Sequence, residues 1–163
     1  MESQKIYFYS EGMKIEGLLF GHSDDIPKPA IMICQGFGGL KETTAAPTAE
    51  FLAEKGYVTL CIDYRYFGAS EGEPRGRLIP MCQIEDIRNA ITFLQQQPGV
   101  DPEKIGLYGS SYGGSNVIYT AAIDKRVKCI VATVPVANSY EWQRQMRRNF
   151  EWVQFLEEVA ENR

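Results

Sequence analysis

The stretch Lys104-Ile-Gly-Leu-Tyr-Gly-Ser-Ser-Tyr-Gly-Gly-Ser115 reads as a short buried strand, a sharp turn and the start of a helix, with Ser111 at the turn. The frame Gly109-Ser110-Ser111-Tyr112-Gly113 fits the pattern G-x-S-x-G, in which a serine occupies a strained strand-to-helix corner and its hydroxyl stands clear of the sheet. Gly109 and Gly113 leave room for two backbones to cross where a side chain would collide. The helix that follows aims its N-terminus at Ser111, so backbone N–H groups and the helix dipole face any negative oxygen formed there. Three fixed positions in five recur by chance, and the setting decides. The apolar run Ile105–Tyr108 before the turn and the helical character of Ser115–Ile123 after it supply the strand-turn-helix context that the motif requires. The plain alternative is a glycine-rich turn whose serine merely caps a helix.

Outward from this stretch, 163 residues that are 44% hydrophobic and 23% charged suffice for one well-packed domain and crowd out a second. A net charge of -4 offers no basic footprint, which argues against nucleic acid or an anionic membrane as partner. No apolar run reaches the roughly 18 to 20 residues of a membrane span, and the start Met-Glu-Ser-Gln-Lys lacks the apolar core of a signal peptide, so a cytoplasmic location is expected. Cys34, Cys61 and Cys129 lie in apolar strand-like runs, and Cys82 stands apart from them. With no C-x-x-C pair, the cysteines read as small buried hydrophobes, and neither a metal site nor a cofactor is expected.

Along the chain, Lys5–Tyr9 and Met13–Phe20 are strand-like and joined by a hairpin at Glu11-Gly12. The second strand alternates, with Met13, Ile15 and Gly17 on one side and Lys14 and Glu16 on the other. A turn-rich loop from Gly21 to Pro29 carries His22, the one histidine. Pro29–Cys34 is a continuous apolar run, as in a strand buried on both faces, and opens into Gln35-Gly-Phe-Gly-Gly39. A helix from Thr43 to Lys55 stops at Gly56, and Tyr57–Asp63 is another buried strand. The loop from Tyr64 to Leu78 is broken by glycine and proline. Ile84, Ile87, Ala90, Ile91 and Leu94 recur at helical spacing from Pro80 to Gln97. Beyond the elbow helix come a strand over Val127–Pro135 and a single helix from Ser139 to the end, striped by Trp142, Met146, Phe150, Val153, Leu156 and Ala160. Strands alternating with helices imply a doubly wound, mostly parallel α/β sheet entered through an N-terminal β-hairpin. The G-x-x-x-x-G-K-[ST] and dinucleotide fingerprints are absent, which weakens a nucleotide-binding reading.

In three ordered motifs, Gln35–Gly39, Asp63–Ser70 and the elbow at Ser111, the chain resembles the α/β-hydrolase superfamily. Within it, the resemblance is to the dienelactone-hydrolase-like and S15 peptidase-like (Xaa-Pro dipeptidyl-peptidase-like) esterases, and it spans nearly the whole chain. It implies an α/β-hydrolase fold truncated after the sixth strand, with strands in the order 1-2-4-3-5-6 and two more expected beyond this sequence. Residues 1–136 would then be the N-terminal part of the core, and residues 137–163 the start of a helical cap. The resemblance makes Ser111 the nucleophile for a small-molecule acyl substrate. It places the oxyanion hole at the backbone N–H groups of Tyr112 and Phe37. Many relatives carry histidine where this chain has Gln35, which alters only side-chain support for that loop. Asp63 takes a structural role, holding its loop by hydrogen bonds.

In this fold the acid and the histidine follow the serine, and no histidine follows Ser111. His22 sits in an early polar loop, remote from the elbow in the expected topology. Asp124 reads as a turn residue, and Glu157, Glu158 and Glu161 as a solvated helix face. Two functions fit: a serine hydrolase of esters, thioesters, lactones or small amides whose acid and histidine lie outside the 163 residues, or a catalytically silent α/β-hydrolase-like binding module. Either way, Val127–Val134 would be left as an apolar sheet edge that invites self-association.

Overall fold

A computed structural model describes residues 2–22 and 26–161; part of the predicted Gly21–Pro29 loop lies outside them. Strands β1 (Gln4–Ser10) and β2 (Met13–Phe20) form the antiparallel hairpin, turning at Glu11 and Gly12 with φ of 47° and 80°. Such a turn matches the right-handed twist of its strands. Strands β3 (Lys28–Cys34), β4 (Val58–Ile62), β5 (Val100–Ser110) and β6 (Val127–Thr133) are mutually parallel where they pair, and β2 joins β4 antiparallel. The sheet order is β1-β2-β4-β3-β5-β6. This is the α/β-hydrolase arrangement, and every residue of β4 is buried, as a central strand covered on both faces requires.

Helices α2 (Pro80–Gln95) and α3 (Tyr112–Ile123) cover one face of the sheet. There Ile87, Ile91, Leu94 and Val117 close over Met32, Leu60, Ile105 and Leu107. On the other face, α1 (Ala46–Glu54) presents Ala49 and Ala53 to Phe20, Ile33 and Cys61. The predicted helix from Thr43 begins instead as a π-helical turn over Lys41–Ala45. The proline inside the first turn of α1 has no N–H to continue the ladder, so the backbone is wider before it and regular after it.

Three expectations change. Cys129 is exposed, because β6 is the last strand and its outer face carries no helix. Glu16, assigned to the polar side of β2, is buried at 6% exposure beside a buried lysine. The single terminal helix is two: α4 (Ser139–Gln145) and α5 (Asn149–Glu161). At the break the Arg148 N–H donates to the Glu151 carboxylate, a side-chain cap that starts α5 in a new phase. The predicted stripe therefore faces outward at Met146, Phe150, Val153 and Leu156, while Trp152 is the buried residue, edge-on to Tyr140. No helix among the described residues is long and apolar enough to cross a membrane.

Candidate active site

Ser111 follows the last residue of β5 and precedes the first residue of α3 with φ 56° and ψ -122°, in the left-handed region that costs a non-glycine residue about 1–3 kcal/mol. Both sides of the corner hold it there. Its N–H donates to Thr133 O of β6 (2.9 Å), and its carbonyl accepts from Gly114 N–H (3.0 Å). The two motif glycines are demanded by close approach: a Cβ on Gly109 would overlap the Gly113 carbonyl, and one on Gly113 would overlap the carbonyl of Cys34 on β3. The elbow is thus wedged between the ends of β3 and β6.

The loop after β3 passes directly over the serine. A Cβ built on Gly36 would lie 3.3 Å from Ser111 Cβ and 3.7 Å from its Oγ. This loop is fastened at both ends to the end of β4. Gln35 Nε2 donates to Ile62 O (2.6 Å), and Lys41 N–H donates to Asp63 Oδ1 (2.9 Å). The Lys41 side chain is fully buried, its Nζ 2.6 Å from Asp63, 2.7 Å from Glu42 and 3.0 Å from Glu16. Burial works against that charge, but hydrogen bonds to the three carboxylates more than offset it and raise the lysine above its ordinary pKa. Asp63 also accepts from Ala69 N–H (2.9 Å) and, at its carbonyl, from Ser70 Oγ (2.6 Å). Its predicted loop-holding role is what the geometry shows.

Phe37 and Tyr112, the residues named for their backbone N–H groups, meet here through their rings. Their centroids are 5.8 Å apart, edge to face, and Trp142 of α4 packs at 5.3 Å from Phe37 and 6.5 Å from Tyr112. Ser111, Gly36, Phe37 and Trp142 line an open hollow of about 930 Å³ between the core and helices α4 and α5. Neither Lys41 nor Trp142 was singled out for the site from sequence. A lysine-glutamate pair opening a helix reads as exposed charge, and Trp142 reads as helix stripe. The usable signal for Lys41 was an aspartate ending a strand with two further carboxylates in reach.

The other candidates lie elsewhere. β2 runs antiparallel to β4 with Phe20 opposite Thr59, so His22 follows at the edge where the parallel strands begin, opposite the edge where Ser111 stands. Asp124, past the end of α3, bonds Arg126 (2.6 Å) and Arg88 (3.2 Å), and the Arg126 bond holds its pKa down at about 2. Cys34, beneath the loop, has its thiol pushed up to about 12 by burial, which leaves it an inert packing group. Glu157, Glu158 and Glu161 are exposed on α5. Among the described residues no group of three or more His, Cys, Asp or Glu could hold a metal ion.

Comparisons with known proteins bear on the fold and the family. The model of the X-Pro dipeptidyl-peptidase (S15) family matches residues 22–160. The chain is similar to the thiohydrolase aneE of Aspergillus aculeatus, 42% identical over 127 residues that make up 77% of this chain and 39% of that protein. It is similar to the quorum-quenching protein AidA of Acinetobacter baumannii, 33% identical over 135 residues, 83% of this chain and 44% of that one. The solved structure of the α/β hydrolase GrgF from Penicillium superposes with a TM-score of 0.85 at 29% identity, over 99% of this chain and 53% of that one. The chain therefore spans less than half the length of these curated relatives.

Proposed function

The chain belongs to the X-Pro dipeptidyl-peptidase (S15) family of α/β hydrolases, and from that premise we propose that Ser111 is the nucleophile of a serine hydrolase. Its substrates on this reading are carboxylic esters, thioesters, lactones or small amides. The observation that carries it is the left-handed Ser111 at the β5–α3 corner, in the wall of the hollow beneath the Gly36–Phe37 loop. The thiohydrolase name of aneE supports a thioester within the range.

Ser111 Oγ adds to the substrate carbonyl carbon as its proton passes to a base. The carbonyl oxygen becomes an oxyanion held by the N–H groups of Tyr112 and Phe37. Losing one such donor typically costs a factor of about a hundred to a thousand. The carbonyl reforms as the leaving group departs with a proton, and water then releases the acid from the acyl-enzyme. In this reading the base and its acid are a histidine and a carboxylate outside the 163 residues, in the chain order serine, acid, histidine. His22 stands at the wrong edge of the sheet, while Asp63 and Asp124 are committed to Lys41 and to two arginines.

A second reading, a catalytically silent binding module, is favoured by the absence of histidine after Ser111. A fluorophosphonate probe applied to this chain and to a longer form from the same gene separates the two. The hydrolase reading expects the longer form to be labelled, the label to vanish in Ser111→Ala, and Ser110→Ala to keep it. Equal labelling of Ser111→Ala removes that serine from the role, and no labelling of either form favours the module.

A further inference from the structure

Two hollows meet at Ser111, and among the described residues Ser111 and Trp142 line both. The larger, of about 930 Å³, runs from the Phe37 loop under α5, with Leu78, Met146, Phe155 and Val159 on its walls. Its one charged side chain is already engaged: Arg147 donates to Gln143 O and Oε1, and its guanidinium lies 3.9 Å over the Phe155 ring. The smaller, of about 500 Å³, is bounded by the apolar segment from Val134 to Ala137 after β6 and by the polar Asn138, Glu141 and Gln145 of the α4 region. A carbonyl carbon on Ser111 carries two substituents, and Ser111 borders both hollows.

We infer that the larger hollow is an acyl-chain pocket for extended apolar acyl groups, that the smaller receives a polar leaving group, and that Trp142 is the specificity-determining partition between them. This rests on Ser111 as the attacking residue. The volume is near the upper end for small-molecule sites, which are mostly apolar with few polar groups. The ring of Trp142, held by edge contacts with Phe37, is rigid enough to turn a chain into one hollow and not the other.

Binding rather than turnover tests this on the chain as it stands. Calorimetry compares a trifluoromethyl ketone bearing an octyl chain with one bearing an ethyl chain. The octyl compound should bind at least about tenfold tighter, equivalent to ~1.4 kcal/mol. That preference should disappear in Trp142→Ala and survive in Trp142→Phe. Val159→Lys, on an exposed position at the pocket wall, should weaken the octyl compound alone, which keeps the test valid if Trp142→Ala fails to fold. Equal affinities in the unmodified chain, no measurable binding of either compound, or a preference untouched by both Trp142→Ala and Val159→Lys overturns the inference. Ser111→Ala separates it from the nucleophile reading: a chain-length preference that persists there supports the pocket whatever the role of Ser111. A chain that loses its probe label in Ser111→Ala yet shows no preference keeps the nucleophile and loses the pocket.

Discussion

The β3–β4–β5 end of the sheet and the segment from β6 onward differ in how completely the chain satisfies itself. At the first, the loop 35–41 is tied at both ends to β4, Lys41 is enclosed by three carboxylates, and the elbow is wedged between neighbouring backbones. At the second, Ile130, Val131, Val134, Phe150 and Val153 stand exposed, and an apolar cleft of about 300 Å³ opens between α1 and the outer strands beside Cys129 and Val131. The Ser111 corner is over-determined by contacts inside this chain, while the outer flank exposes large apolar side chains among the described residues. Rigidity has been spent where a strained serine needs it.

The largest expected effect probes the corner itself. If the base lies beyond these residues, turnover of an activated ester by the 163-residue chain should fall short of a form carrying the later acid and histidine by a factor on the order of a million. Steady-state assays of both forms check this, and robust turnover by a verified 163-residue preparation, lost in Ser111→Ala, would return the base to this chain.

Next is the cation under the loop. Lys41→Met leaves the buried Asp63 carboxylate without its cation and Glu16 with Lys5 at 3.4 Å in place of Lys41 at 3.0 Å, and denaturant unfolding should show a loss of about 3–5 kcal/mol. A loss below ~1 kcal/mol would mean that water reaches the carboxylates and that the loop is less tightly held than its contacts indicate.

Asp124 gives a smaller effect with a defined pH dependence. Its folded pKa of about 2 lies below the ordinary value of about 3.9, so the folded state binds its proton less readily than the unfolded chain. Its stabilising contribution is present in full above about pH 4 and is lost as the pH falls through about 2. Asp124→Asn should therefore be less stable than the parent near neutrality, with the gap closing across that acid window in melting experiments. A gap constant with pH would assign the effect to packing instead.

The smallest effect on stability, and the clearest on behaviour, belongs to the flank. The open edge and outer face of β6 should make the isolated chain associate at micromolar concentration, since an uncovered apolar strand recruits partners. Val131→Lys should shift sedimentation toward monomer while changing stability by no more than about 0.5 kcal/mol. A monodisperse parent chain would erase the contrast between the two regions.

What could be read from residues alone follows the same division. Gly109, Gly113 and Ser111 were legible because close backbone approach and a left-handed corner restrict residue type directly. The strand runs were legible because burial on both faces leaves continuous apolar sequence. Lys41, Glu16 and the Arg65–Asp86 pair, whose guanidinium and carboxylate meet at 2.7 Å in the interior, were not. A buried charge looks like a surface charge until its partner is known, and Glu16 and Asp63 for Lys41, like Asp86 for Arg65, are more than twenty residues away in sequence. The phase of α5 was missed for a related reason. Its cap at Glu151 is local, but which face is buried depends on what lies against it, and the apolar stripe alone could not say.

The register of β5 carries a kinetic consequence. Ile31 on β3 pairs with Gly106 on β5, across the whole of α1, β4 and α2, while Ser111 N–H closes onto Thr133 of β6. The hairpin β1–β2 can zip from its turn, but the serine corner cannot form until a long loop has closed and two parallel strands have docked on either side of β5. Loop closure of that kind must precede the contacts that reward it. Refolding should therefore restore hairpin amide protection first and protection at Ser111 and Gly114 last, so a newly made chain passes through a compact stage in which the Ser111 hydroxyl has no fixed direction.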